Sequence, residues 1–114
     1  MSDDKELIEK AYQTIESAKT SGKIRKGINE VTKAVEKGTA KLVAFSGDIN
    51  PPEIAMHLPL LCKEKNIPCI KVGGKEELGA AAGLTVSTSA VAVLNEGDAK
   101  DLLKEIQDDV AKAE

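Results

Sequence analysis

Four residues close together in the segment Gly27-Ile28-Asn29-Glu30-Val31-Thr32-Lys33 could do chemistry on a polyanion. Asparagine offers a donor and an acceptor in one plane, glutamate accepts from amino groups, lysine neutralises phosphate, and glycine lets a partner's backbone come close. Asn29 and Lys33 stand at i,i+4 and Glu30 and Lys33 at i,i+3, so on a helix the three share one face. At about 100° per residue Ile28, Val31 and Val35 gather on the opposite face, while Lys26 and Lys37 join the polar one. An amide, a carboxylate and an ammonium side by side match the donors and acceptors on nucleic-acid base edges. Taken alone, the spacing is also that of an ordinary solvated helix with Glu-Lys pairs, which is the commoner case.

Charge separates the two readings. The whole chain carries a net −3 with pI near 5.3, which argues against a nucleic-acid partner. Between Lys19 and Lys41, however, seven basic residues face two acidic ones, a local +5, and the remaining nine basic and 17 acidic residues carry −8. A polyanion would therefore meet one patch and not the whole surface. Aromatic residues are 2% of the chain, Tyr12 and Phe45 alone, so a sheet platform that stacks bases on several rings is excluded.

Other residues that could carry chemistry fall short of a set. His57 has no cysteine or serine nucleophile nearby in sequence, and Asp48 with Glu53 flanks a helix start, where capping explains both carboxylates. No enzyme is expected. Cys62 and Cys69 are too far apart for a Cys-x-x-Cys pair, and one histidine makes no zinc set, so two buried free thiols and no metal are expected. Gly73-Gly74-Lys75 matches only the end of a phosphate loop and reads as a flexible strand-to-helix connection. Gly79 and Gly83 read as a close-packed helix with a glycine stop, so no cofactor is expected. A small-ligand pocket between the Asp48–Glu53 loop and Gly73-Gly74-Lys75 is the rival binding hypothesis, and a protein adaptor is the third. No apolar run reaches the roughly 18 residues of a membrane span, and Met1-Ser2-Asp3-Asp4 opens without a signal pattern, so a cytoplasmic protein without a membrane partner is expected.

The elements that must hold these residues alternate. Leu7, Ala11, Ile15 and Ala18 define an amphipathic helix from Asp3 to about Lys19, with Asp3 and Glu6 spaced as a capping box. A short extended piece at 23–26 leads through Gly27 into a helix ending at Gly38. Lys41–Phe45, Pro68–Val72 and Ala90–Leu94 are compact apolar runs, and the first and last are apolar on both faces. A helix starts at Asn50-Pro51 and should be kinked or divided by Pro59. A small-residue helix covers 76–82, a loop covers 84–89, and a last helix lines up Ala99, Leu102, Leu103, Ile106 and Val110. The expected architecture is one domain over residues 1–114, a three-layer α/β/α sandwich with a central mixed sheet of about four strands.

Four ordered motifs add to that reading: Gly-Lys-Ile-Arg-Lys-Gly-x-Asn-Glu-x-Thr-Lys from Gly22, Asp-Ile-Asn-Pro-Pro-Glu-Ile from Asp48, His-Leu-Pro-Leu-Leu-Cys-Lys-Glu-Lys-Asn-Ile-Pro from His57, and Leu-Gly-Ala-Ala-Ala-Gly from Leu78. Together they resemble the archaeal L7Ae family of kink-turn-binding ribosomal proteins over more than half the chain. The resemblance implies a protein that binds and stabilises a kink-turn, an RNA duplex bent at a short bulge flanked by sheared G·A pairs. Asn29, Glu30 and Lys33 would then contact the edges of the G·A pairs. Arg25, Lys26 and Gly27 would lie against phosphates. Asp48, Ile49 and Glu53 would help enclose the extruded bulge nucleotide, and Leu84, Thr85, Val86 and Ser87 would form the other wall.

The implied partners are ribosomal RNA of the large subunit, box C/D and H/ACA guide RNAs, ribonuclease P RNA and the core proteins of those particles, with a monomer when free. Thr85 stands where an acidic residue is common in the family, and Gly73-Gly74 replaces a more rigid Pro-Ser type pair.

Overall fold

The apolar runs become the middle of a sheet. The computed structural model describes the backbone of residues 2–47 and 52–113 and the side chains of 6–47 and 57–108. Its elements are α1 (Ser2–Ser21), β1 (Lys23–Lys26), α2 (Ile28–Glu36), β2 (Leu42–Ser46), α3 (Pro52–Glu64), β3 (Cys69–Val72), α4 (Lys75–Ala81), β4 (Ala90–Asn95) and α5 (Lys100–Ala113). The strand order is β1-β4-β2-β3. β4 runs antiparallel to both neighbours, whereas β2 and β3 are parallel, joined by α3 as a crossover. This is the expected mixed α/β sheet.

Alternation along the inner strands sorts the core into two layers. Leu42, Ala44, Val91 and Val93 face α1, α4 and α5, where they pack with Ala11, Ile15, Leu78, Leu103 and Ile106. Val43, Phe45, Ala90 and Ala92 face α2 and α3, against Val31, Val35, Leu58 and Cys62. The inner strands read as continuous apolar runs because both their faces are covered. β1 is a polar edge strand, Lys-Ile-Arg-Lys, which suits a sheet edge next to water.

Local differences from the expectations have physical causes. α3 runs through Pro59 undivided. One lost amide bond does not separate two halves that Leu58 and Cys62 both anchor in the core. The cap placed at Asp3 lies inside α1, which starts at Ser2, and the cap at Asn50-Pro51 lies outside the described residues. Cys62 is fully buried, but Cys69 is only partly so. Although six residues separate them in sequence, the turn after α3 folds Cys69 back onto Cys62. A hydrogen bond to Cys62, together with burial, pushes the Cys69 thiol up, so it stays protonated.

Candidate functional site

Strand direction decides where a site can form. β1, β2 and β3 point one way and β4 the other, so the turns after the first three and the loop before β4 open at one end of the sheet. That end is where open α/β sheets take ligands. Backbone bonds tie the segments there in pairs: Gly27 N–H donates to the Ala90 carbonyl (2.9 Å), Ser46 N–H to Ser89 (2.8 Å), Gly47 N–H to Gly73 (2.9 Å) and Thr88 N–H to Lys75 (3.1 Å). The Gly73-Gly74 connection is held further, because Gly73 N–H donates to the Tyr12 hydroxyl (3.2 Å).

The first wall is the β1–α2 junction. Gly27 has φ 95° and ψ 148°, a conformation essentially restricted to glycine. A Cβ built there meets nothing within 4 Å, so the constraint is conformational and the space above the backbone is open. As N-cap of α2, Gly27 has no side chain to bond the first-turn amides. Those donors point outward at the positive end of the helix dipole, where an anion is stabilised. The expected amphipathic split holds: Val31, Ala34 and Val35 are buried, while Asn29, Glu30 and Lys33 are exposed. Lys26 is exposed at the strand end and Arg25 is half-buried beside it. Among the described residues none of Arg25, Lys26, Glu30, Lys33 and Lys37 has an ion-pair partner within 4 Å. Glu30 and Lys33 thus do not make the pair that a plain solvated face would offer at i,i+3.

The second wall is the loop from Leu84 to Ser87, and its backbone is clamped onto α4. Leu84 N–H donates to the Gly79 carbonyl (2.9 Å), and Leu84 is half-buried. A Cβ on Gly79 would run into the Val86 carbonyl, so the loop lies on a helix face that only glycine keeps low enough. Thr85, Val86 and Ser87 are exposed, Val86 by 68%. Thr88, which sequence reasoning left out of the wall, is 7% exposed, and its hydroxyl donates to the Ala90 carbonyl (3.1 Å). A threonine just ahead of an apolar run was the only signal for that clamp.

Asp48 and Ile49 lie outside the described residues, as does the side chain of Glu53, whose backbone is in the first turn of α3. The segments 25–33 and 84–87 do come to the same end of the sheet. A cleft of about 460 Å³ between α2 and α3 adjoins the first wall: Asn29 lines it together with Ile28, Thr32, His57, Leu58 and Leu61 among others. Gly73-Gly74-Lys75 is not part of it, and most of the Asp48–Glu53 loop that the rival small-ligand pocket needs lies outside the described residues.

Together these features define a small α/β binding domain with one wall of exposed side chains and one of clamped backbone. The chain belongs to the Ribosomal protein L7Ae/L30e/S12e/Gadd45 family, whose model matches residues 9–103. Among solved structures it is similar to the 15.5kD RNA binding protein of Giardia lamblia, with 32% identity and a TM-score of 0.83, over 94% of this chain and 89% of that one.

Proposed function

We propose that this protein binds RNA at the β1–α2 and Leu84–Ser87 end of the sheet, and that its preferred target is a kink-turn whose bent form it stabilises. The observation that carries the reading is the first wall: an open, left-handed Gly27 leads into free helix amides, with Asn29, Glu30 and Lys33 exposed and unpaired beside Arg25 and Lys26. The amides and cations suit phosphates; the amide-carboxylate-ammonium set suits base edges. Regular A-form RNA keeps its major groove too narrow for such a face, so a bent, locally opened duplex is the form that fits. Membership of the family and likeness to an RNA-binding neighbour support the same direction.

In this reading Asn29, Glu30 and Lys33 contact the G·A pairs, and Arg25, Lys26 and Gly27 lie on the backbone. Asp48, Ile49 and Glu53 on one side and Leu84, Thr85, Val86 and Ser87 on the other hold the bulge nucleotide. A protein that binds only the kinked form pulls the RNA's equilibrium toward it. Such a role fits a component of the large ribosomal subunit, box C/D and H/ACA particles, and ribonuclease P. The test is calorimetric titration with a kink-turn RNA and with the same RNA carrying Watson-Crick pairs in place of the G·A pairs. Markedly tighter binding of the first is expected; equal affinity for both overturns the reading.

A further inference from the structure

We infer that the groove between β1 and α2 is a second phosphate-binding surface, a track along which one RNA stem leaves the site. The inference rests on the proposed RNA-binding function and adds a direction to it.

α2 returns antiparallel alongside β1, so the helix carboxyl end comes back beside the strand's first residue. The groove between them, about 290 Å³, is lined by Lys23, Arg25, Lys33 and Lys37 around the apolar floor of Ala34 and Leu94. Arg25 and Lys33 belong to the first wall; Lys23 and Lys37 extend it away from the sheet end. From Lys23 to Lys26 the strand advances about 10 Å, and α2 advances about 13 Å. At roughly 3.4 Å per stacked nucleotide, this spans about three or four phosphates on one strand.

Two further observations favour a polyanion over water and counterions alone. None of the four cations has an ion-pair partner among the described residues, and Glu30, the one carboxylate lining the groove, offsets only one of them, which leaves the groove positively charged. By contrast Lys41, at the margin of the basic segment, is neutralised by Glu96 at 3.2 Å. The rest of the chain, with nine basic and 17 acidic residues, repels a phosphate backbone. Beyond Glu30 and Lys33 the groove's remaining neutral polar side chain is Thr39, whose hydroxyl already donates to the Ala34 carbonyl (3.2 Å), so the outer track binds backbone without sequence preference.

The experiment compares wild type with the double variant Lys23→Gln/Lys37→Gln, both exposed positions whose loss leaves the core intact. The probes are a kink-turn RNA with both stems long, two RNAs with one or the other stem trimmed to about three pairs, and a plain RNA duplex, each titrated at several salt concentrations. On the long-stem RNA the variant is expected to bind about tenfold more weakly, with the salt slope reduced by about two. Trimming one particular stem should abolish the difference, and trimming the other should preserve it. On the plain duplex the salt slope should also fall. A variant whose affinity and slope equal wild type on every RNA overturns the track, as does a loss that ignores which stem is trimmed. If wild type shows no kink preference, the proposed target fails while the duplex slopes still decide the track.

Discussion

The two described walls of the site solve the same problem in opposite ways. On the α2 wall a regular helix presents exposed side chains, Asn29, Glu30 and Lys33, over a buried face of Val31, Ala34 and Val35. On the Leu84–Ser87 wall the chain is irregular, the side chains of Thr85, Val86 and Ser87 are exposed, and its position is set by backbone contacts to α4 through Leu84, Thr88 and the bare surface of Gly79. In the proposed reading, recognition is therefore separable from stability on the first wall and fused with it on the second. A helix face can change its chemistry without moving, because intrahelical bonds and the core hold it. A clamped loop cannot change its support without changing its shape.

The strongest way to break this contrast is at Gly79. In Gly79→Ala the added methyl meets the Val86 carbonyl, which is backbone and cannot swing aside. Overpacking of that kind costs typically about 1–3 kcal/mol, and here the upper end is expected, together with a displaced loop. Denaturant unfolding and RNA titration should both report it. A variant as stable as wild type would show that the loop is not clamped by this contact.

Gly27→Ala is the matching change on the first wall, and its cause is different. Nothing lies within 4 Å of the added methyl, so only the φ of 95° is penalised. A loss of about 1–3 kcal/mol of stability is expected from the backbone region alone. Affinity should fall as well, since relaxing φ re-aims the first-turn amides. Full stability in this variant would mean that the turn adopts another conformation at no cost.

Asn29→Ala and Lys33→Ala sharpen the comparison because they should leave stability within about 0.5 kcal/mol. Binding to a kink-turn RNA should weaken by about 1–3 kcal/mol for each. If either variant melts early, the α2 wall is structural after all. Gly79 and Asn29 then form a crossed pair: one loses fold and binding together, the other binding alone.

How much of this was legible beforehand follows the range of the interactions. β2 and β4 could be read from Leu42–Phe45 and Ala90–Leu94, because burial on both faces leaves an uninterrupted apolar run. The α2 faces could be read because a helix writes its environment at intervals of three and four. Strand directions could not, since pairing joins residues as distant as Lys23 and Asn95, and neither side chain records the other. Glycine at 79 announced close packing but not the Val86 carbonyl it accommodates. The seven cations between Lys19 and Lys41 could be counted, whereas only coordinates separate paired Lys41 from unpaired Lys33. Thr85 was singled out through family likeness alone; the structure places it exposed on the clamped loop.

The smallest expected effect concerns that last distinction. Burial pushes the Glu96 carboxyl up, but a hydrogen bond from its own backbone amide, the Lys41 ammonium at 3.2 Å and the nearby Lys100 together hold it below the usual carboxylate range. A carboxyl depressed in the folded state stabilises the fold above its unfolded pKa of about 4.3, and that contribution fades as pH falls through the lower folded value. Because Lys41 is half-exposed, the pair is worth under about 1 kcal/mol, so Glu96→Gln should lower stability slightly at neutral pH and progressively less as pH falls through the folded value. RNA binding gives the sharper readout. Freed of its partner, Lys41 becomes one more unneutralised cation at the margin of the basic patch, and the salt slope for RNA should rise slightly. An unchanged slope would mean that the patch ends before Lys41.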